Sequence, residues 1–207
     1  QDVHFPKTGT DLQLLERGKT PAHRRLAFEE LLLLQLALAS RQRAVHEEPK
    51  ELRFNSQTPL LEKPGRLLPF CLTAAQDRVI REIFQDMISP RPMNRLVQGD
   101  VGSGKTAVAL HALVMACGSG YQAALMAPTE ILAEQHYRNL SGMLQALGLQ
   151  TILVRGGEKS SVKKIQAERL ASGEVHVAIG THALIQQGVQ FKNLGLAVVD
   201  EQHKFGV

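Results

Sequence analysis

Apolar residues follow a helical period in the first part of this chain and form short runs in the second part. Residues 21–48 have the helical period, with Thr20 as a candidate N-cap and Pro21 at the first helical position. This pattern predicts one long helix that serves as a packing helix or an interdomain spacer. Its broad apolar face includes Leu26, Leu33, Leu34 and Ala37.

A second helix is predicted to begin after Leu72. Thr73 and Gln76 match the T-x-x-Q capping box, which by itself would explain both residues. Gln76 could equally contact a nucleotide base, and both roles stay open at this point. Apolar residues then recur at spacings of three and four, at Val79, Ile80, Ile83, Phe84, Met87 and Ile88.

Beyond residue 95, short apolar runs alternate with helical stretches. Such alternation is typical of an α/β domain with a mostly parallel sheet covered on both faces. Ligands bind to sheets of this kind at the carboxyl ends of the strands. The predicted strands are residues 95–98, 123–127, 151–154, 175–180 and 196–199, and the predicted helices are residues 107–117, 130–147 and 161–171.

The loop after the first predicted strand has the sequence GDVGSGKT, which fits the pattern G-x-x-x-x-G-K-[ST]. Glycines let main-chain N–H groups converge on phosphate oxygens. Lys105 adds a full positive charge, the helix N-terminus adds a partial one, and the Thr106 hydroxyl is placed to ligate Mg²⁺. A glycine-rich turn that only caps a core helix would not require the Lys-Thr pair. The loop therefore predicts a phosphate site formed by Gly99, Asp100, Val101, Gly102, Ser103, Gly104, Lys105 and Thr106.

Two carboxylates, Asp200 and Glu201, follow the last apolar run. One carboxylate there would hold Mg²⁺ through water, opposite Thr106. The other could accept a proton from an attacking water as a general base. Together with Lys105, this arrangement favours hydrolysis of a nucleoside triphosphate over transfer to an organic acceptor. The alternative, a solvated strand end, does not account for the phosphate loop upstream.

Polar or cationic residues stand in the loops that follow the other predicted strands. They are Thr129, Arg155, Thr181 and His182, which could contact a phosphodiester backbone without reading its sequence. Each one alone could equally be an ordinary loop residue, but as a set on one sheet edge they predict a contact with a polyanion. No zinc role is assigned to His203, because no cysteine or carboxylate cluster has ligand spacing. The remaining histidines, including His111, receive no role.

Composition narrows the class of protein. The net charge of +4 is compatible with nucleic-acid binding but does not require it, and no basic tail is present. Tryptophan is absent and only 4% of residues are aromatic, which argues against a base-stacking platform for single strands. No apolar run is long enough for a membrane span, so no membrane partner is expected. Cys71 and Cys117 are predicted to be reduced core residues.

The chain is expected to be an excerpt from a longer protein, because its 207 residues begin with Gln1 and stop directly after the acidic motif. Residues 1–20 are predicted to be a connector from a missing upstream domain, and residues 21–48 the linker helix. Residues 49–71 are predicted to be a polar linker. Residues 72–207 would form the nucleotide-binding lobe, incomplete at its C-terminus.

Five strings, LTAAQ, GDVGSGKT, MAPTEILAEQH, GTHAL and DEQHKFGV, together closely resemble the first motor lobe of the RecG family of superfamily 2 helicases. This family contains ATP-dependent, branch-migrating DNA helicases of bacteria and plastids. Upstream, RLAFEELLLLQLAL with VHFP resembles the helical linker that joins the family's wedge domain to its motor. The resemblance covers essentially the whole chain.

The resemblance implies a RecA-like P-loop NTPase lobe in which ATP and Mg²⁺ are bound. Gln76 would contact adenine, Asp200 would be the metal ligand and Glu201 the catalytic base. Gln202 and His203 would relay the nucleotide state to a partner lobe. Lys204 stands where the family usually has an arginine. A lysine cannot make the bidentate contact that an arginine could make there. The residues implied to lie along duplex DNA are Pro128, Thr129, Gly156, Gly157, Thr181 and His182.

The resemblance also implies what this chain does not contain. The family's second RecA-like lobe, with its arginine finger, and its wedge domain would be partners within the same protein, and branched double-stranded DNA would be the substrate. The isolated chain is therefore expected to bind Mg-ATP weakly and to hydrolyse it poorly. The expected role is fork and Holliday-junction remodelling in recombination and repair, in the bacterial cytoplasm or a plastid. A transcription-repair coupling or primosomal helicase is the alternative, and a P-loop kinase or a non-hydrolysing nucleotide-binding module is the alternative from another class.

Overall fold

The computed structural model of this chain describes residues 11–47, 50–62, 64–186 and 188–205. The first ten residues of the predicted connector, Glu48 and Pro49, and Gly206 and Val207 of the last motif lie outside the described residues. The chain divides into two compact units, Gln1–Pro49 and Lys50–Val207. Searched over the described residues, no helix is long and apolar enough to cross a membrane.

The first unit contains helix α1, Leu12–Glu16, and helix α2, Pro21–Glu47. The carboxylate of Asp11 caps α1 by accepting hydrogen bonds from the main-chain N–H groups of Gln13 and Leu14. Thr20 caps α2, because its hydroxyl accepts from the N–H of His23 at 3.3 Å. The prediction of one long helix after Thr20 is confirmed.

The second unit is built on one parallel sheet of four strands in the order β2-β3-β1-β4. The predicted α/β fold with a parallel sheet is confirmed. The strands are β1 Gln122–Met126, β2 Thr151–Val154, β3 Val177–Gly180 and β4 Leu194–Val199. The helices are α3 Pro64–Leu67, α4 Ala74–Ile88, α5 Lys105–Gly118, α6 Glu130–Ala146 and α7 Ser160–Ser172, and short 3-10 helices span Pro59–Glu62, His182–Ile185 and Gln202–Lys204.

Side chains that alternate along the strands build a separate core on each face of the sheet. On one face Leu125 and Ile179 pack in a cluster with buried residues of helices α4, α5 and α6. On the other face Ile152 and Ala178 pack with Leu170 of α7. Burial on both faces explains why the strands appear in the sequence as continuous apolar runs.

The prediction of a buried strand at residues 95–98 is wrong. These residues form no strand, and the side chain of Leu96 is 74% exposed. Arg95 instead pairs with Asp86 at 2.6 Å and Glu82 at 2.8 Å on α4, and the hydrogen bond that the guanidinium donates to Asp86 raises the pKa of Arg95. A strand needs a neighbour that takes up its main-chain hydrogen bonds, and the sheet of the described residues, β2-β3-β1-β4, does not include residues 95–98.

Residues 50–72, most of them predicted to be a polar linker, contribute to the core of the second unit. Phe54 is buried and its ring lies 5.1 Å from the ring of Tyr121. The Tyr121 hydroxyl accepts from the N–H of Arg53 at 3.0 Å. Lys50 donates to the carbonyl oxygens of Met87 and Ser89, where it caps the end of α4, and burial lowers the pKa of Lys50.

The two cysteines differ in their surroundings. Cys117 lies in the core on α5, where burial raises the pKa of its thiol to about 12. Cys71 is exposed, so the prediction that it is a core residue is wrong. It lies two residues before Thr73, the N-cap of α4, which is exposed as well.

Candidate functional site

The four strands end level with one another. The register pairs Met126 of β1 with Gly180 of β3 and with Val199 of β4, and it pairs Val154 of β2 with Gly180. The ladder continues for one more residue on either side of β1, because Asp200 donates from its N–H to the Met126 carbonyl at 2.8 Å and Ala127 donates from its N–H to the Gly180 carbonyl at 2.8 Å. The loops after the strands therefore open on one edge of the sheet, as the sequence predicts.

The phosphate loop reaches the same edge through helix α5. This helix packs on β1 and β4 and ends at Gly118, just before β1 starts at Gln122. Because so short a connection reverses the chain, α5 runs antiparallel to β1. Its 14 residues span about 21 Å, enough to carry its first residue to the carboxyl ends of the strands. The loop before Lys105 consequently lies on that side of the sheet.

Glycines shape the phosphate loop where other residues would be strained. Gly102 and Gly104 have φ angles of 80° and 78°, in the left-handed region. Gly104 is the N-cap of α5 and supplies no side-chain hydrogen bond. The main-chain N–H groups of the first turn are therefore not used by a capping side chain and can donate to a ligand. Lys105 folds back over the loop and donates to the carbonyl oxygens of Gly99 at 2.7 Å and Asp100 at 3.0 Å.

Gln76 joins helix α4 to this loop. Its side-chain oxygen accepts from the N–H of Thr73 at 2.8 Å, and the Thr73 hydroxyl accepts from the N–H of Gln76, so the predicted capping box is confirmed. Its amide nitrogen donates to the Ser103 carbonyl at 2.9 Å. A Cβ placed on Gly104 would clash with the same amide nitrogen. The contact with adenine stays a prediction.

The acidic motif sits where β4 ends. Asp200 is hydrogen-bonded to His136. Oδ2 of its carboxylate lies 2.8 Å from Nε2 of the imidazole ring. Glu201 has a φ of 50° and is the only non-glycine residue with a left-handed φ in the part of the chain that the structure describes. Its carboxylate lies 3.4 Å from Nδ1 of His203, and Gln202 and His203 are both exposed. Backbone strain of this kind concentrates at functional sites.

Sequence reasoning missed His136. Helix α6 packs the buried residues Ala133, Leu140 and Leu144 toward the sheet, and His136 falls on the same stripe, three residues after Ala133 and four before Leu140. A polar ring on such a stripe, near the N-terminus of a helix that starts at the carboxyl ends of the strands, must face that edge of the sheet. That spacing is the signal that would have found it.

Helix α6 also holds the loop that follows β2. The Glu130 carboxylate accepts from the N–H of Gly156 at 3.2 Å, and Lys163 of α7 donates to the Gly156 carbonyl at 2.6 Å. Arg155 pairs with Glu134 of α6 at 3.5 Å. These contacts bring the loops after β1 and β2 together and leave Gly157 exposed.

The other loop residues with predicted roles in nucleic-acid binding differ in exposure. Thr129 is exposed and caps α6 by accepting from the N–H of Leu132 at 3.3 Å, and Pro128 is half-buried. Thr181 is only 2% exposed, and its hydroxyl accepts from the N–H of Ala183 at the start of a 3-10 helix. His182 is exposed beside it. Thr181 therefore shapes the loop, and His182 presents its side chain at the edge.

The residues at this edge fit a magnesium ion that arrives with a nucleotide. Among the described residues, no group of three His, Cys, Asp or Glu side chains could hold a metal alone. Oxygen donors are present in the Thr106 hydroxyl and in Oδ1 of Asp200. Mg²⁺ commonly takes one or two protein oxygens and completes its shell with phosphates and water. When bound, such an ion would neutralise negative charge on the phosphates.

Comparison with known proteins finds relatives among the RecG helicases. The chain is 48% identical over 205 residues to the ATP-dependent DNA helicase RecG of Synechocystis sp., which covers 99% of this chain and 24% of that protein. The same identity over 205 residues holds for the RecG of Bacillus subtilis, with 29% of that protein covered. The chain thus spans less than a third of the length of these relatives.

A solved structure of RecG bound to a three-way DNA junction matches this chain with a TM-score of 0.77 and 45% sequence identity, over 87% of this chain and 25% of that one. The family model for the DEAD/DEAH box helicases matches residues 73–207, from the N-cap of α4 through the phosphate loop to the acidic motif. This chain belongs to the DEAD/DEAH box helicase family.

Proposed function

We propose that this chain is the ATP-binding and ATP-hydrolysing motor lobe of a DNA helicase that remodels branched DNA. The proposal rests on the position of the phosphate loop and of the Asp200–Glu201 pair toward the same edge of the sheet, which the packing of α5 and the register of β1 and β4 support. The likeness to RecG over almost the whole chain supports a helicase over a kinase or a passive nucleotide-binding module.

In this proposal the main-chain N–H groups at the start of α5 bind the phosphates of ATP. Lys105 leaves the carbonyl oxygens of Gly99 and Asp100 and pairs with the terminal phosphates, because a charged acceptor makes the stronger hydrogen bond. Thr106 and Asp200 hold Mg²⁺ with the nucleotide. Glu201 accepts the proton of the attacking water.

DNA would lie along the carboxyl edge of the sheet. The exposed residues Thr129, Gly157 and His182, with Arg155 beside them, can contact phosphates without reading bases, as a translocating motor requires. Pro128, Gly156 and Thr181 would hold these loops in shape. Gln202 and His203, exposed after Glu201, would report the nucleotide state to a second lobe.

The proposal includes partners outside this chain. A second RecA-like lobe would supply an arginine to the transferred phosphate, a contact worth about 10³-fold or more in rate in related phosphoryl-transfer enzymes. A wedge domain would select branched DNA. The protein would act in DNA recombination and repair, in the bacterial cytoplasm or a plastid.

ATP turnover tests the proposal. It is measured for the protein carrying this sequence without DNA, with a linear duplex, and with a three-way junction of the same base composition. We expect the junction to stimulate turnover most, and we expect a Lys105→Ala variant to show no stimulation. Equal turnover under all three conditions would contradict a branched-DNA motor.

The 207-residue chain alone gives a second measurement. We expect slow turnover that DNA does not stimulate, because the second lobe is absent. Brisk, DNA-stimulated hydrolysis by the chain alone would mean that no partner lobe is needed.

A further inference from the structure

His136 and Asp200 form the contact between helix α6 and the acidic motif. They are 64 residues apart in sequence, yet Nε2 of His136 lies 2.8 Å from Oδ2 of Asp200. The histidine side chain is 14% exposed and the aspartate side chain 29%. A hydrogen bond at this depth is better shielded from water than one on the surface, so it constrains both side chains more strongly.

Packing alone does not explain a histidine at this position. Its neighbours on the core-facing stripe of α6, Ala133 and Leu140, are apolar and fully buried. Nδ1 of His136 is buried and has no hydrogen-bond partner among the described residues. A buried polar atom without a partner costs free energy, so an apolar residue would suit the stripe better. What the ring gains in return is its hydrogen bond to Asp200.

Asp200 is held at two points, and one oxygen is left available. Its N–H donates to the Met126 carbonyl, which fixes the main chain against β1. Its Oδ2 is held by His136, which fixes the rotation of the carboxylate. The other oxygen, Oδ1, has no hydrogen bond to the part of the protein that the structure describes. The carboxylate is therefore oriented with a single oxygen presented.

We propose that His136 is a positioning residue, which presents Oδ1 of Asp200 to the Mg²⁺ bound with the nucleotide. The inference rests on the proposed function, because it needs Asp200 to serve a metal. Partners that hold a metal-binding carboxylate or imidazole from behind set its orientation, and losing one commonly weakens metal binding by about tenfold to a hundredfold. His136 would act on the metal only through Asp200.

Helix α6 thereby connects the metal site to the edge proposed for DNA. Thr129 caps this helix and His136 lies seven residues further on, two turns along the same face and about 10 Å away. Glu130 of the same helix holds the loop after β2. A rigid helix with the DNA-facing loops at one end and His136 within it gives Asp200 a physical connection to those loops.

The test compares variants of the protein carrying this sequence. His136→Ala removes the hydrogen bond, and His136→Gln keeps an amide N–H donor at nearly the position of Nε2. Gln135→Ala is the matched control, because Gln135 is the preceding residue on α6 and its side chain is exposed. The measurement is the Mg²⁺ concentration that gives half-maximal binding of a fluorescent, non-hydrolysable ATP analogue, with the unfolding temperature of each variant recorded in parallel.

We expect His136→Ala to raise the half-saturating Mg²⁺ concentration by about tenfold or more. His136→Gln should stay within about threefold of the unchanged protein, and Gln135→Ala should match it. Equal Mg²⁺ requirements for His136→Ala and the unchanged protein would overturn the inference, and so would equal shifts in the alanine and glutamine variants. If the unchanged protein binds no Mg-nucleotide, the proposed function itself fails, which is a different result.

Discussion

The side-chain amide of Gln76 donates a hydrogen bond to the carbonyl of Ser103 at 2.9 Å, while its oxygen caps helix α4 through Thr73. One side chain thus serves the helix and the phosphate loop with different atoms. Gln76→Glu separates the two roles, because a glutamate still completes the capping box but cannot donate to Ser103. We expect this variant to keep its unfolding temperature and to bind ATP more weakly.

Gln76→Ala is the companion variant, since it loses both contacts. The Thr73 hydroxyl still caps α4, but losing the hydrogen bond from the Thr73 N–H should lower the free energy of unfolding by about 1 kcal/mol, in addition to the loss of ATP affinity. Thermal unfolding and titration with a fluorescent ATP analogue measure the two effects. Unchanged ATP affinity in both variants would show that the contact with Ser103 does not matter for nucleotide binding.

Lys105→Ala should weaken ATP binding without harming the fold. A hydrogen bond to a charged group is worth about 1.5–3 kcal/mol, which corresponds to a loss of affinity of about tenfold to a hundredfold. The fold should persist because Lys105 pairs only with carbonyl oxygens of its own loop among the described residues. Lys192→Ala, an exposed lysine beside Gly173 at the end of α7, is the control. Calorimetric titration with ATP measures the affinity of both variants, and only Lys105→Ala should bind more weakly than the unchanged protein.

Glu201→Gln should separate ATP binding from hydrolysis. The amide keeps the size of the side chain but cannot accept a proton from water, so turnover should fall by about 10²-fold to 10⁴-fold while ATP affinity stays near normal. Single-turnover hydrolysis and nucleotide titration check this. Glu174→Gln, which changes an exposed carboxylate paired with Arg169, should leave both unchanged. Retained hydrolysis in Glu201→Gln would remove the general-base assignment.

Only one cysteine should react with a thiol reagent in the folded protein. Cys71 is exposed, whereas Cys117 is buried and its thiol has a pKa raised to about 12, so it holds almost no thiolate at pH 8. Labelling at pH 8 should therefore modify Cys71 quickly and Cys117 only after unfolding. Peptide mapping of the labelled protein identifies the sites. Fast labelling of Cys117 in the native state would contradict its burial.

The Cys117 thiol also makes the free energy of unfolding depend on pH in the alkaline range. An unfolded chain releases the Cys117 proton near pH 9, but the folded protein keeps it up to about pH 12. Between these values the folded state binds more protons than the unfolded state, so the free energy of unfolding falls as pH rises. Below about pH 8 this group has almost no effect. A Cys117→Ala variant should show a flatter decline in urea unfolding between pH 9 and pH 11 than the unchanged protein.

Local signals in the sequence were sufficient for most of the elements. The predicted strand at residues 151–154 has the observed bounds, because apolar runs buried on both faces stand out from their flanks. The capping box at Thr73 and Gln76 and the phosphate loop are read within a few residues, since their hydrogen bonds are local. Residues 95–98 contain the apolar pair Leu96 and Val97, as a short strand would, but a strand also requires a partner that local sequence does not specify.

The sequence by itself determined which groups make up the candidate site: a lysine and glycines in one loop, and two carboxylates after an apolar run. Residue type and spacing suffice there because each motif is contiguous. Only the tertiary structure decided which groups meet. The level ends of the strands bring Asp200 beside Met126, and helix α6 brings His136 to the carboxylate of Asp200. Contacts between residues 64 positions apart arise from sheet register and helix packing, and neither is written in a local pattern.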